Sequence, residues 1–560
     1  MPALGTDALI YHITIPAMWM QSHVLAPLDL VFHDAAAEHS PMLTQLGNYL
    51  LMRLTGDDGL VWLVQPAFFL PLLWLFYRSA RLAGAGRDIS KLAVALMAIH
   101  GPFLMSVYIA NNELVMLFGA AMLLYGLLLS RRRSARGLIV SAGGLALMLA
   151  TKHVAVIYAA VALPLLVPVA WRTLKTSRRG VLTCLAAGLL LAIGAGFLWR
   201  NWLIYGNPMY PSQVRLGGVT LFDGLYNARP LVDHGWQLAN LGYLFFHGNH
   251  HFGPRWVLNV PLLLAVVGCV AFAARGCKRM RRWGLLAACV IFPVASALLF
   301  LSVVPFWEQH RLLFPVYYAM FLALACLLGR LGRMGPGLRV AAVALPLVML
   351  LCEVFFSSLF VEWWFIAMLA GAVVAAVLPW PTKPLRRFVL PVAGGGLVLL
   401  ALSGSLWYAT YAQNRLAMRR AMYPRVYGTQ GQAWNVVNEY TARRPARIAY
   451  SGSTLIWPLF GPNALNRVSY VPLSPQDKPT AIKLHSDDEI YERLATARRS
   501  TVDEAFWLQR IREHRIELLF LVDDPKVGGV RQELEIVARH PEIFEAIFSQ
   551  DNVRVFRVKP

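Results

Sequence analysis

The sequence predicts a polytopic α-helical membrane protein with a small α/β domain after its last membrane segment. Three observations lead to this fold class. The chain of 560 residues is 57% hydrophobic and only 15% charged, with a mean hydropathy of +0.52, and soluble domains rarely have this composition. Its apolar runs are long enough to cross a bilayer. The residues after 410 instead alternate short strand and helix patterns.

About twelve transmembrane helices are predicted from the apolar runs, each with the length that a bilayer crossing requires. The run from 136 to 171 is too long for one helix, so we divide it at Lys152 and His153, which are expected in a short turn at one membrane face. The predicted spans are 59–77, 90–109, 113–130, 136–151, 154–171, 180–199, 256–274, 283–304, 312–329, 338–358, 362–380 and 388–409.

The loops between these runs alternate in basic charge. By the positive-inside rule, the loops rich in Lys and Arg lie in the cytoplasm. We therefore expect a multi-pass protein of the cell inner membrane. Its first extracytoplasmic loop (1–57) would carry amphipathic juxtamembrane helices, its membrane domain would be 58–410, and its α/β domain (411–560) would face the periplasm. The basic loops are 78–91, 131–136, 171–180, 275–283, 329–339 and 382–387.

Charge and cysteine usage exclude two other classes. The net charge of +22 does not indicate nucleic-acid binding, because the basic residues stand in short clusters between apolar runs, as membrane topology requires. No cysteine falls in an outward-facing part of the chain, so no disulfide framework is predicted. The six cysteines are Cys184, Cys269, Cys277, Cys289, Cys326 and Cys352.

The chain after 410 has the alternation of an α/β domain. Two helical patterns, 503–515 and 529–540, separate runs with strand character. The predicted strands are 446–452, 467–472, 516–524 and 553–558.

Ionisable residues at the ends of membrane helices are costly and therefore candidates for function. Asp7 precedes an amphipathic stretch on which Tyr11 shares its face at i+4, and helix capping is the alternative role for Asp7. Glu113 opens a span, where an acid also favours the helix N-terminus. Lys152 and His153 lie at the outer face, against the positive-inside rule, and a cation there could hold a phosphate.

Two more groups of polar residues fall on the outer face. The first group consists of Glu308, His310 and Arg311, and an ion pair within the group is the alternative to a functional role. Asn207 lies in a turn between Tyr205 and Tyr210, whose rings either anchor the loop at the interface or stack on a sugar. A histidine-containing loop gives only weak evidence for zinc: it holds His247, His250 and His251.

These motifs together resemble the GT-C superfamily of membrane glycosyltransferases, and most closely its protein O-mannosyltransferase and aminoarabinose transferase branch (glycosyltransferase family 39-like). The resemblance runs from the first residues to about 320. It is carried by "TDALIYHITIPAMW", "ANNELVMLF", "ATKHVAVIYA", "YGNPMYP" and "EQHRLLFP".

The resemblance implies an enzyme that transfers a sugar from a polyprenyl-phosphate donor to a hydroxyl of a lipid, glycan or protein at the outer face, with inversion. Asp7 would be the base and Glu113 the second catalytic acid, while Lys152, His153 and Arg311 would bind the donor phosphate. No cofactor is implied with certainty, and a divalent cation stays open. The expected substrate-binding residues are Tyr11, His12, Tyr205, Asn207, Tyr210 and Glu308.

The sequence departs from the family at two places. In the family a membrane helix precedes the first outer loop, so we expect that a helix ahead of Met1 has been lost. The aminoarabinose branch also has an acid-lysine-proline motif late in this loop. The corresponding stretch lacks it, which argues against lipid A as acceptor; its polar residues include His33, Asp34, Glu38 and His39.

Two other functions are compatible with the sequence. One is a transporter or flippase of lipid-linked glycans, although no internal repeat with midplane polar residues is visible. The other is a polysaccharide ligase, which also uses polyprenyl-linked donors.

Overall fold

A computed structural model describes most of the chain in two compact units. One unit comprises Met1–Val64, Ile109–Asn111 and Ala401–Pro560, and the other comprises Gln65–Tyr108 and Asn112–Leu400. The described residues are 7–25, 41–98, 100, 103, 106–107, 111–175, 178–211, 213–216, 219–224, 256–274, 283–303, 310–333, 335, 337, 340, 345, 349, 414, 417–461, 463–477, 501–523 and 530–560.

The described part of the chain is mainly helical and has the helices of a multi-pass membrane protein. Five of its helices are long and apolar enough to cross a membrane, or six if a bent pair counts as one span. The five are Val61–Ala83, Ser134–Thr151, Ala155–Leu174, Trp283–Phe300 and Arg311–Leu331. Shorter helices are Arg87–Ala98, Glu113–Leu129 and the apolar part Pro261–Ala271 of Trp256–Ala274.

The division of the long apolar run is confirmed. Helix Ser134–Thr151 ends immediately before Lys152, and the next helix begins at Ala155. The predicted span at 180–199 corresponds to a bent helix pair, Arg179–Gly194 and Gly196–Tyr205, with an angle of 54° between the two helices. The bend lies at Ala195 between two glycines, a sequence at which helices commonly kink. The predicted spans at 362–380 and 388–409 lie outside the described residues.

The membrane helices bury aliphatic side chains and small residues against one another. Phe314–Leu331 is buried along most of its length, as expected for a helix that is apolar on all sides. A short antiparallel hairpin, β1 (Val214–Leu216) and β2 (Val219–Phe222), follows the bent helix pair in the same unit.

The other unit contains a five-stranded mixed sheet near its C-terminal end. Its strands are β3 (Arg447–Ser451), β4 (Arg467–Ser469), β5 (Leu518–Val522), β6 (Phe544–Gln550) and β7 (Val553–Val558). Their order is β4-β3-β5-β7-β6, with β3 parallel to both neighbours and β7 antiparallel to both of its own. Helices Glu504–Glu513 and Arg531–Arg539 contribute to a core around Trp507 and Phe544.

Residues from both ends of the sequence share the core of this unit. Helices Thr14–Ser22 and Leu43–Thr55 follow the N-terminus, and residues 417–441 are helical on both sides of a turn at Gly428, where φ is +53°. Apolar side chains of 8–17 are buried in one cluster with Trp434, Trp457 and Phe460. The residues predicted as a first loop and those predicted as a C-terminal domain therefore fold as one unit.

A buried ion pair also joins the two ends of the sequence. Arg419 Nη2 lies 2.7 Å from Asp58 Oδ1, and the two side chains are 0% and 1% exposed. Arg419 Nη1 donates to the carbonyl of Gly461 (3.2 Å), and the guanidinium lies 5.6 Å from the ring centroid of Trp457. Since buried charges must be paired, this contact fixes Asp58 against the helical segment that carries Arg419, ahead of the turn at Gly428.

Candidate active site

Two helices of the membrane unit, Glu113–Leu129 and Ser134–Thr151, approach each other at their backbones. A Cβ at Gly119 would lie 2.7 Å from the carbonyl oxygen of Gly144, and one at Gly126 would lie 2.6 Å from that of Gly137. Ser141 Oγ also donates to the carbonyl of Leu123 (2.9 Å). Glycine contacts of this kind bring membrane helices together. Because a short turn joins the two helices, the first begins where the second ends.

An ion cluster forms at that end of the pair. Glu113 is the first residue of its helix, and Lys152 follows the last residue of the other. Lys152 Nζ lies 2.9 Å from Glu113 Oε1, and Arg311 Nη1 lies 3.7 Å from the same oxygen. The structure thus brings together the predicted second acid and two of the three predicted phosphate-binding cations.

The helix ends favour both charges of the buried pair. Glu113 lies in the first turn of its helix, where the dipole is positive, and Lys152 lies at the negative end of its own. Each placement stabilises the charge by about 0.3–1 kcal/mol. The Glu113 side chain is 1% exposed, that of Lys152 10% and that of Arg311 35%. Arg311 is therefore the member of the cluster that a ligand reaches most readily.

Three neutral side chains bind the backbone beside the charged residues. Gln65 Oε1 accepts from the N–H of Leu114 (3.0 Å), next to Glu113. Asn112 Nδ2 donates to the carbonyl of Thr151 (3.1 Å), next to Lys152. Tyr158 donates its O–H to the carbonyl of Leu312, next to Arg311. The three are Gln65, Asn112 and Tyr158, and all are buried.

The positions of these neutral residues could be predicted only in part from the sequence. Gln65 is a lone amide in the apolar run 59–77, so the rule that flags ionisable groups in spans would have found it if extended to amides. Asn112 lies inside the motif "ANNELVMLF". Tyr158 lies inside the motif "ATKHVAVIYA", but a tyrosine in an apolar helix is more often a packing residue, so its contact with Leu312 was not predicted.

His153 lies in the turn after Lys152, and its side chain is exposed. The predicted role of His153 in phosphate binding stays a prediction. Within the described residues, no three His, Cys, Asp or Glu side chains converge in a way that could hold a metal ion.

Asp7 and its neighbours belong to the other unit. Asp7 stands at the N-cap position of the following helix but makes no capping hydrogen bond, so the capping role is not observed. The rings of Tyr11 and His12 are in contact, with centroids 4.3 Å apart, and His12 is buried.

The α-helical spacing assumed for Asp7 and Tyr11 is wrong. Ala8–His12 is a π-helix, closed by a hydrogen bond from Ile13 N–H to the carbonyl of Ala8. The carbonyl of His12 cannot receive an α-helical bond from Pro16, which has no N–H. Asn48 Nδ2 donates to it instead (2.9 Å). Single π-helical turns are frequent at functional sites.

The predicted loop residues after the bent helix pair hold one another in place. Tyr205 and Tyr210 stack with ring centroids 4.1 Å apart. Asn207 Nδ2 donates to the carbonyl of Asp223 (2.8 Å), and its Oδ1 accepts from Met209 N–H (2.8 Å). Both ends of the Asn207 amide thus stabilise the loop, and substrate contact by these three residues stays a prediction.

Several predicted residues lie outside the described part of the chain. Glu308 is the one named for substrate binding. The others are His33, Asp34, Glu38, His39, His247, His250 and His251.

Three solved proteins are similar to this chain. ArnT from Cupriavidus metallidurans, bound to undecaprenyl phosphate, is 12% identical over 99% of this chain and 94% of that chain, with a TM-score of 0.49. The arabinofuranosyltransferase AftD from Mycobacteria is 15% identical over 100% and 38%, with a TM-score of 0.46. The oligosaccharyltransferase of Archaeoglobus fulgidus is 11% identical over 93% and 66%, with a TM-score of 0.43.

The sequence matches no protein-family model and no curated protein. At the identities and TM-scores of the three solved proteins, the likeness by itself assigns neither a family nor an activity to this chain.

Proposed function

We propose that the protein is a GT-C type integral membrane glycosyltransferase. It transfers a sugar from a polyprenyl-phosphate donor to a hydroxyl acceptor at the extracytoplasmic face of the cell membrane, with inversion. The observation that carries the proposal is the convergence of Lys152 and Arg311 on Glu113. These residues come from three separate segments, and each lies in one of the motifs that carry the family resemblance.

The cluster suits the departure of a lipid phosphate. As the sugar–oxygen bond breaks, negative charge accumulates on the phosphate that remains on the polyprenyl chain. An ammonium and a guanidinium stabilise that charge through charge-assisted hydrogen bonds. Before donor binding, Glu113 is the counter-ion of Lys152 and Arg311. When the donor binds, its phosphate and Glu113 interact with the two cations together. The buried carboxylate thereby holds the Lys152 side chain in place between turnovers.

The remaining roles follow the motif resemblance. Asp7 accepts the proton of the acceptor hydroxyl as it attacks the anomeric carbon, and His153 assists at the phosphate. Tyr11, His12 and Glu308 contribute to substrate binding. Direct displacement by the acceptor inverts the anomeric centre and requires no covalent enzyme intermediate.

The test is sugar transfer by the purified full chain in lipid nanodiscs. Donors are radiolabelled sugars on polyprenyl phosphate, offered with lipid, glycan and peptide acceptors. We expect Lys152→Gln and Arg311→Gln each to lower the transfer rate by about 100- to 1,000-fold. Asp7→Asn should abolish transfer but leave donor binding intact.

Two controls separate chemistry from folding. Lys175→Gln removes an exposed lysine of the same unit that rests on the Trp171 ring, and should transfer as the wild type does. The double variant Glu113→Gln/Lys152→Gln replaces the buried ion pair by two amides, so it should fold and yet remain inactive.

Three outcomes would contradict the proposal in different ways. Undiminished transfer by Lys152→Gln and Arg311→Gln would show that this cluster is not the donor site. Undiminished transfer by Asp7→Asn would remove Asp7 from the chemistry. Movement of lipid-linked sugar between leaflets, without transfer from any donor, would make the protein a flippase.

A further inference from the structure

The contacts around the ion cluster follow one rule. Each of the three charged residues has a sequence neighbour whose backbone is bound by a neutral side chain from elsewhere in the unit. Gln65 binds Leu114 beside Glu113, Asn112 binds Thr151 beside Lys152, and Tyr158 binds Leu312 beside Arg311. We call these three residues, Gln65, Asn112 and Tyr158, the neutral clamp.

The clamp satisfies backbone groups that the helices leave open. The N–H of Leu114 is among the first of its helix, which have no partner within the helix. Asn112 occupies the N-cap position but makes no capping bond to this helix. Gln65 therefore takes over part of the capping from another helix, while Asn112 reaches across to the last residue of the neighbouring helix.

The clamp can restrict the charged groups without touching the ligand. Gln65, Asn112 and Tyr158 are 0%, 4% and 0% exposed, so their side chains are closed off from the solvent side of the site. Lys and Arg side chains are long and rotamer-rich, and their position depends on a fixed backbone as well as on the ion pairs. A misplacement of about 1 Å can lower a rate by about 100-fold.

We infer that Gln65, Asn112 and Tyr158 are positioning residues that hold Glu113, Lys152 and Arg311 in the geometry for binding and releasing a polyprenyl phosphate. The inference rests on the proposed function for its ligand. Each member acts through one charged residue, and this makes the three assignments separately testable.

The test removes each clamp contact with little change in volume. The variants are Gln65→Met, Asn112→Leu and Tyr158→Phe. Ser141→Ala is the matched control, because Ser141 Oγ makes the same kind of buried bond to a backbone carbonyl between the same two helices, away from the cluster. The readouts are the transfer rate and the affinity of the full chain for undecaprenyl phosphate.

We expect each clamp variant to lower the transfer rate by about 10- to 100-fold and Ser141→Ala to leave it unchanged. The decisive measurement is the double variant. If Tyr158 acts through Arg311, then Tyr158→Phe should change the rate of Arg311→Gln by less than about twofold. The same holds for Asn112→Leu on Lys152→Gln and for Gln65→Met on Glu113→Gln.

Two results would overturn the inference. The first is a loss in Ser141→Ala as large as in the clamp variants. The second is a set of double variants in which the losses of transfer rate in the single variants multiply. Either result would mean that the clamp residues contribute only general helix packing. Tyr158→Phe keeps the ring, so this arm remains informative even if the amide variants fail to fold.

A ligand-free readout separates this inference from the proposed function. Reductive methylation, followed by mass spectrometry, should modify Lys152 slowly in the wild type compared with exposed Lys175, and several-fold faster in Asn112→Leu. The wild type could fail to bind undecaprenyl phosphate and to transfer sugar while Lys152 is still methylated faster in Asn112→Leu than in the wild type. The proposed ligand would then be wrong, and the positioning role of the clamp would be retained. Equal methylation of Lys152 in the wild type and in Asn112→Leu would refute the clamp on its own.

Discussion

Loss of the buried Arg419–Asp58 ion pair should destabilise its unit more than any surface change. Arg419→Met leaves Asp58 charged, buried and without its guanidinium. It also removes the bond to the Gly461 carbonyl and the contact with Trp457. Breaking a buried ion pair from one side costs about 3–5 kcal/mol. For a unit of this size, such a loss lowers the midpoint of thermal unfolding by about 6–20 °C.

The neighbouring residue supplies a matched control. Arg420 forms an ion pair with Glu439 at 2.6 Å, but both side chains are exposed. Exposed pairs contribute about 0–1 kcal/mol, so Arg420→Met should shift the midpoint by no more than about 4 °C. The distances of the two pairs are almost equal, and burial alone separates the expected results.

The assay is thermal unfolding of the purified full chain, followed by tryptophan fluorescence, since Trp434 and Trp457 lie in the core concerned. The double variant Arg419→Met/Asp58→Leu replaces both charges and should recover most of the loss, as substitution of whole buried pairs often does. Equal midpoints for Arg419→Met and Arg420→Met would refute the reasoning. So would a double variant that is less stable than Arg419→Met.

Two more predictions concern packing and pH. Gly126→Leu should separate helices Glu113–Leu129 and Ser134–Thr151 and reduce both stability and sugar transfer. The control Gly188→Ala, whose Cβ meets nothing within 4 Å, should match the wild type in both assays. Equal stability and transfer in the two variants would contradict the close approach of the helices. The hydrogen bonds that His540 donates to Glu504 and to Glu542 raise the pKa of His540, and the bond from His540 lowers the pKa of Glu504. The contribution of His540 to the free energy of unfolding is complete below its ordinary pKa of 6.5 and is lost as the pH rises through its raised pKa. The contribution of Glu504 is complete above its ordinary pKa of 4.5 and is lost as the pH falls through its lowered pKa. The excess stability of the wild type over His540→Gln should therefore be greatest between pH 4.5 and 6.5 and should shrink as the pH rises through the raised pKa of His540. A pH-independent difference in unfolding midpoint would rule out this assignment.

Features that depend on local sequence were predictable. Lys152 and His153 interrupt an apolar run that is too long for one span, and the helices end and begin around them. The strand predicted at 516–524 is present as β5 (Leu518–Val522), and its continuous hydrophobicity agrees with its buried position in the middle of the sheet. Glu113 and Lys152 were identifiable because charged residues at membrane-helix ends are rare.

Features that depend on distant contacts or on irregular geometry could not be predicted from the sequence. Strand β6 was missed because a register shift between Ala546 and Phe548 interrupts its alternation of apolar and polar residues. The π-helix at Ala8–His12 was not predicted, and the carbonyl of its last residue is bound by Asn48, which is 36 residues away from His12 in the chain. No local pattern pairs Tyr158 with Leu312, since 154 residues separate them.

The shared core of the two chain ends has a consequence for biosynthesis. Asp58 and Arg419 are 361 residues apart, a distance that a ribosome covers in roughly 20–70 s at about 5–20 residues per second. During that time the π-helix beside Asp7 and the two helices after it have been made, but the aromatic side chains that bury them have not. The predicted base can thus acquire its final setting only after the membrane helices have been synthesised. A nascent chain stalled before Arg419 should accordingly remain inactive even if its Glu113–Lys152 pair is already formed.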